Sequence, residues 1–110
     1  MGTHKYAIEF KLAKSVTEEL LQLYAHHVTG FNGGTELDSL MGEHLKDMYM
    51  RLAALNNKIK RTGILGMNNS EAMAFYMYWN TTDTSGWPLA NVLIADMVWK
   101  IDKRINKARR

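Results

Sequence analysis

The apolar and polar positions of the chain predict six elements, four of them helical. Residues 5–12 alternate in character, with apolar side chains on one face (Tyr6, Ile8, Phe10 and Leu12) and charged ones on the other (Lys5, Glu9 and Lys11). A period of two residues is typical of a half-buried strand. Because a lone strand leaves its backbone groups without partners, this strand must pair. The other candidate strand is 62–67, and pairing with a second copy of 5–12 is the alternative.

The first two helices follow this strand. Ser15 and Glu18 have the spacing of a capping box, and the helix they begin is expected to end near Gly30. A second, long helix is predicted from Thr35 to Arg61. Its apolar residues recur at spacings of four and three, which is a heptad-type seam formed by Met41, Leu45, Met48, Leu52, Leu55 and Ile59.

The last two helices differ in how their apolar residues are distributed. The third, 71–79 with Ser70 as its cap, is apolar nearly all round, which predicts a place in the core or at an interface. The fourth is expected to begin at Pro88, which suits a first helical turn. Its predicted inner stripe consists of Leu89, Leu93, Met97, Ile101 and Ile105.

These elements predict a mainly α fold. We expect one helical domain over residues 1–110, a four-helix bundle-like arrangement with two long helices and a short N-terminal β-strand. The second short strand would complete it. Opposite charges four residues apart support the long helices, because they predict surface ion pairs of Asp47 with Arg51 and of Asp96 with Lys100.

Composition removes several classes of site. The chain has no cysteine, which excludes disulfides, thiolate zinc sites and cysteine nucleophiles. No apolar run reaches the length of a membrane span, and the N-terminal residues do not resemble a signal peptide, so a cytoplasmic location is expected.

Charge is concentrated at the C-terminal end. Residues 100–110 contain six Lys or Arg and one Asp, whereas the other 99 residues contain eight Lys or Arg and ten Asp or Glu. Residues 102–110 are interpreted as a basic helix end or tail. A second basic group closes the long second helix. If the two helix ends meet, nine cations form one face: Lys58, Lys60, Arg61, Lys100, Lys103, Arg104, Lys107, Arg109 and Arg110.

Such a face is typical of proteins that contact nucleic-acid phosphates. The start of the fourth helix is apolar and so lacks the polar side chains of a recognition helix, which favours backbone contacts over base reading. The alternative explanation is structural, because basic residues at a helix C-terminus offset the helix dipole and keep a terminus soluble.

Catalytic chemistry has weak support. His44 and Asp47 have a spacing that could supply two ligands of a metal or hydrolytic site, but the sequence indicates no third ligand. Acidic pairs such as Glu18 and Glu19 stand at predicted helix starts, where acids are expected for structural reasons. We therefore assign no catalytic residue, metal, cofactor or small-molecule substrate.

The apolar content predicts self-association. Two long helices with regular apolar seams, an apolar helix and a strand without an obvious partner present more apolar surface than a small chain is expected to bury. The alternative is that one compact packing of the four helices buries all of it. The expected homo-oligomer interface is formed by Met41, Leu45, Met48, Leu52, Phe75, Tyr76 and Trp79. The leading function is thus a small non-enzymatic, self-associating interaction protein, and the alternative is a nucleic-acid-binding accessory protein.

Overall fold

The computed structural model describes residues 7–30 and 36–109, with side chains described for 7–29 and 40–104. These residues are mainly helical, as predicted, with four helices and a two-stranded antiparallel sheet. The elements in chain order are β1 (Ile8–Ala13), α1 (Lys14–Gly30), α2 (Glu36–Lys58), β2 (Thr62–Met67), α3 (Asn69–Trp79) and α4 (Pro88–Arg109).

The predicted strands pair with each other inside the chain. Ile8 lies opposite Met67 and Ala13 lies opposite Thr62. The alternation of β1 places Phe10 and Leu12 in the core. Lys5 and Tyr6, also part of the predicted strand, lie outside the described residues. Pairing with β2 removes the need for a second copy to complete this sheet.

The end of α2 differs from the prediction because β2 begins close to it. The helix ends at Lys58, not Arg61, and Gly63 belongs to β2. A Cβ atom on Gly63 would lie 2.3 Å from Cγ2 of Ile59 and 2.8 Å from Cδ1 of Leu55. Glycine is therefore required where the strand crosses the last turn of α2.

Two predicted helix starts were also wrong. β1 runs directly into α1, so Ser15 lies inside the first turn and does not cap it. For α3 the cap is Asn68, two residues before the predicted Ser70, and it forms a capping box with Glu71. The Asn68 side chain accepts a hydrogen bond from the Glu71 amide, and the Glu71 carboxylate accepts one from the Asn68 amide. Thr35, where the second helix was predicted to start, lies outside the described residues.

The helices share one core. α1 packs mainly against α2 and α4, and α3 packs against α4 and α2. The inner face of α4 is rotated from the predicted stripe and contains the buried residues Ala90, Ile94, Met97 and Ile101. A constant spacing of four drifts around a helix of 3.6 residues per turn. Leu89 is consequently 46% exposed, and the side chain of Ile105 lies outside the described ones.

Arg51 joins three elements. Its guanidinium lies 2.6 Å from the Glu71 carboxylate at the start of α3 and donates a hydrogen bond to the Gly66 carbonyl in β2. The predicted pair with Asp47 is present at 3.8 Å. Arg51 thus ties α2 to both the sheet and α3.

Candidate functional site

The predicted basic residues lie in two groups. Lys58, Lys60 and Arg61 follow one another at the end of α2 and before β2, and all three are exposed. Lys100, Lys103 and Arg104 lie exposed on the last described turns of α4. The backbone of α4 continues to Arg109, but the side chains of Lys107 and Arg109, and all of Arg110, lie outside the described part.

The two groups are attached to different parts of the fold. Arg61 comes immediately before the first residue of β2. The helix that packs along α4 is α3, which follows the last residue of β2. A six-residue strand is roughly 20 Å long. Within the described part of the chain, none of the hydrogen bonds or ion pairs identified joins one group to the other. That they form one face therefore stays a prediction.

One lysine of the basic group of α4 lies over an exposed aromatic ring. Trp99 is 56% exposed, and the Lys103 ammonium lies 4.3 Å from the centre of its ring, in a cation–π arrangement. Lys100 pairs with Asp96 at 3.0 Å, which confirms a predicted surface ion pair. We call Trp99, Lys100, Lys103 and Arg104 the α4 platform.

Trp99 was missed from the sequence although the sequence contains the signal. It stands two residues from both Met97 and Ile101, which are buried. Residues two apart on a helix point about 200° from each other, so a tryptophan between two inward residues must face outward.

A groove beside the α4 platform separates α4 from α3. Its volume is about 400 Å³, within the range of small-molecule sites. Trp79 and Ile94 form part of its floor, and Trp99 lines one wall. Close to Trp99, the Tyr76 hydroxyl donates to the Asp102 carboxylate over 3.3 Å.

The other end of the groove is also polar. There the Thr84 hydroxyl donates to Oδ1 of Asn91 over 2.6 Å, and Asn80 and Thr82 complete the rim. An apolar floor with polar ends suits a flat ring with hydrogen-bonding edges.

The predicted oligomer interface is mostly inside the chain. Leu45, Met48, Leu52 and Phe75 have no exposed surface, and Trp79 is 3% exposed. Packing of α2 and α3 within one chain buries these five side chains, so they present no face to a second copy.

The two remaining interface residues are half-buried and line separate grooves. Tyr76 lies in the groove between α3 and α4. Met41 lies in an apolar groove of about 660 Å³ between α2 and α3, which also contains Leu40, Met73, Ala74 and Met77. The exposed apolar surface is therefore elsewhere than the sequence pattern indicated.

His44 is more buried than a surface metal ligand would be. Its Nε2 atom is buried and has no hydrogen-bond partner among the residues that the structure describes. Burial lowers the pKa of His44. The nearby carboxylates of Glu71 and Asp47 act in the opposite direction but do not cancel this effect. Among the described residues, no group of three or more His, Asp or Glu side chains is placed to hold a metal ion.

A second histidine belongs to an aromatic cluster between α1 and α3. Nδ1 of His27 lies 2.6 Å from the Tyr78 hydroxyl, and Nε1 of Trp79 donates to the Tyr24 hydroxyl over 2.9 Å. Burial, together with the neighbouring His26, lowers the pKa of His27, and burial raises the pKa of Tyr24. Neutral rings suit the packing role of this cluster.

No protein-family model, curated protein or solved structure matches this chain. In the described part, none of the helices combines the length and apolarity that crossing a membrane requires.

Proposed function

We propose that the chain is a non-enzymatic accessory protein that binds single-stranded nucleic acid through the α4 platform. The observation that carries this proposal is the exposed Trp99 ring with the Lys103 ammonium over it. Proteins that bind single strands combine cations for the phosphates with aromatic rings on which bases stack. Trp99 and Lys103 supply both about one helical turn apart, and Arg104 is a further exposed cation on the next turn.

The structural explanation of the basic end accounts for less. Lysine and arginine in a last helical turn offset the helix dipole and need no aromatic neighbour. That explanation does not account for an exposed tryptophan beneath the Lys103 ammonium, and tryptophan is a residue type enriched at interfaces. A stacking surface also fits the absence of a polar recognition helix from the sequence, because stacking tolerates any base.

The sequence extends this surface beyond the described side chains. Lys107, Arg109 and Arg110 continue the same basic segment, and we include them as phosphate contacts. Lys58, Lys60 and Arg61 form a separate candidate area that a longer strand would reach. A bundle-like arrangement of the four helices, supported by the packing of α1 and α3 between α2 and α4, would carry both areas on one rigid body.

Replacing Trp99 with Ala is expected to weaken binding of a single-stranded oligonucleotide about tenfold at low salt, since it removes one stacking surface. Fluorescence anisotropy of a labelled oligonucleotide measures the change. Circular dichroism should show an unchanged helix content, because Trp99 lies outside the core.

Val92→Ala is the matched control for this change. Val92 is 68% exposed and lies two turns earlier on the same outward line of α4, away from the cations. It should bind as the unmodified protein does. Full-length protein that binds no single strand at low salt would rule the proposal out, and equal affinity of the Trp99→Ala protein would remove its basis.

Self-association is a second candidate, favoured by the methionine-lined groove between α2 and α3. Met73 is 38% exposed and Met77 is 47% exposed, and methionine suits adaptable protein contacts. Sedimentation equilibrium is expected to show a dimer that Met77→Lys dissociates. A strict monomer at high concentration would contradict this candidate and leave nucleic-acid binding untouched.

A further inference from the structure

We infer that the groove between α3 and α4 takes the base that stacks on Trp99, and that it favours a base with an exocyclic amino group, cytosine above uracil. This inference rests on the proposed nucleic-acid binding and adds a preference that stacking alone does not give. It follows from the position of one carboxylate, that of Asp102, at the end of the groove next to Trp99.

Charge is divided across α4 at this point. Asp102 lines the groove, whereas Lys103 lies over the Trp99 ring and is not among the groove-lining residues. The two side chains leave the helix about 100° apart. A phosphate is repelled by the carboxylate and attracted by the ammonium, so the backbone of a bound strand is directed to the side of Lys103. The base is then directed over Trp99 into the groove.

The chemistry of a carboxylate selects among bases. An ionised carboxylate only accepts hydrogen bonds. Cytosine presents an amino donor at its position 4, where thymine and uracil present an oxygen acceptor that the carboxylate cannot bond. The Tyr76 hydroxyl donates to the same carboxylate over 3.3 Å and so helps to orient it. Asp102 is half-buried, which strengthens a hydrogen bond relative to one in open solvent.

The floor of the groove suits a flat ring. Ala95 is exposed and Val98 is half-buried, and both present apolar surface in the groove. Ile94 and Trp79, each 3% exposed, close the groove beneath them. Trp99 forms a wall of the groove. A bound base can therefore stack on the Trp99 ring and have the Asp102 carboxylate near its edge. The Asn91 end lies about three turns away along α4, too far for the same base to reach.

The experiment compares oligomers of deoxycytidine and deoxyuridine of equal length by fluorescence anisotropy at neutral pH. These bases differ in the position-4 group that Asp102 would contact and in the proton on N3, and have similar stacking area. The full-length protein is expected to bind the cytidine oligomer about fivefold more tightly, the lower end of what one base contact contributes. Asp102→Asn should reduce this ratio to about one, because an amide can also donate to the uracil oxygen.

Asp96→Asn is the matched control. It removes the same charge from α4, but Asp96 pairs with Lys100 and does not line the groove. Both variants should bind both oligomers more tightly, and only Asp96→Asn should keep the ratio. The amide oxygen that Asp102→Asn introduces can still accept from the Tyr76 hydroxyl, and Asp96 is on the surface, so both variants should fold.

Each negative result would contradict a different claim. Equal binding of both oligomers by the unmodified protein, still weakened by Trp99→Ala, would overturn the groove inference and leave the proposed function standing. A cytidine preference that survives in Asp102→Asn would overturn the role of Asp102. Binding of neither oligomer at low salt would overturn the proposed function itself.

Discussion

Phe75→Ala is expected to lower the free energy of unfolding by about 3–5 kcal/mol, the usual cost of emptying a buried phenylalanine site. Phe75 has no exposed surface and belongs to the shared core. Because the side chain packs against residues of its own chain, the decrease in stability should not depend on protein concentration. Urea denaturation at two widely separated protein concentrations measures the loss of stability and shows whether it depends on protein concentration.

The same measurement decides between a core and an interface position. Val92→Ala changes an apolar side chain that is 68% exposed and lines neither groove, and it should alter stability by about 0.5 kcal/mol or less. If the Phe75→Ala protein kept its stability as a monomer and lost only assembly, Phe75 would belong to a subunit interface, as the sequence suggested.

Arg51→Met is expected to lower the free energy of unfolding by about 2 kcal/mol, because it leaves the Glu71 carboxylate and the Gly66 carbonyl without their shared donor. The Arg51 and Glu71 side chains are 23% and 22% exposed. The effect should therefore fall between those of a surface pair and a fully buried one. Thermal or urea unfolding provides the measurement.

A double-mutant cycle isolates this pair. Glu71→Gln removes the charge but keeps an oxygen that can accept from the Asn68 amide, so the cap of α3 is preserved. Arg51→Met should cost less in that background. Purely additive losses would show that the ion pair contributes nothing. Lys100→Met, which breaks the exposed pair with Asp96, should cost less than about 1 kcal/mol.

Local patterns were sufficient to predict the elements of this fold. The period of two in β1 and the start of α4 at Pro88 both depend on neighbouring residues and agree with the structure. The ends of elements were harder, because they depend on tertiary contacts. α2 stops at Lys58 where β2 crosses it at Gly63, and no local signal shows that crossing.

The candidate site required information that is absent from the sequence. The chain pattern shows that Phe75 and Leu52 are apolar but not whether the burying partner is the same chain or a second copy. The groove beside Trp99 exists only because α3 packs along α4 and brings Tyr76 to Asp102, 26 positions away. Only the outward position of Trp99 was within reach of helical periodicity.

The pairing of β1 with β2 constrains how the chain can be divided. The two strands are separated by α1 and α2, so their paired residues lie about fifty to sixty positions apart. During synthesis, about fifty further residues must be added after β1 before its partner strand β2 is made. An N-terminal fragment that stops before Thr62 contains β1 without its partner strand. The protein therefore cannot be divided between the two strands without unpairing the sheet.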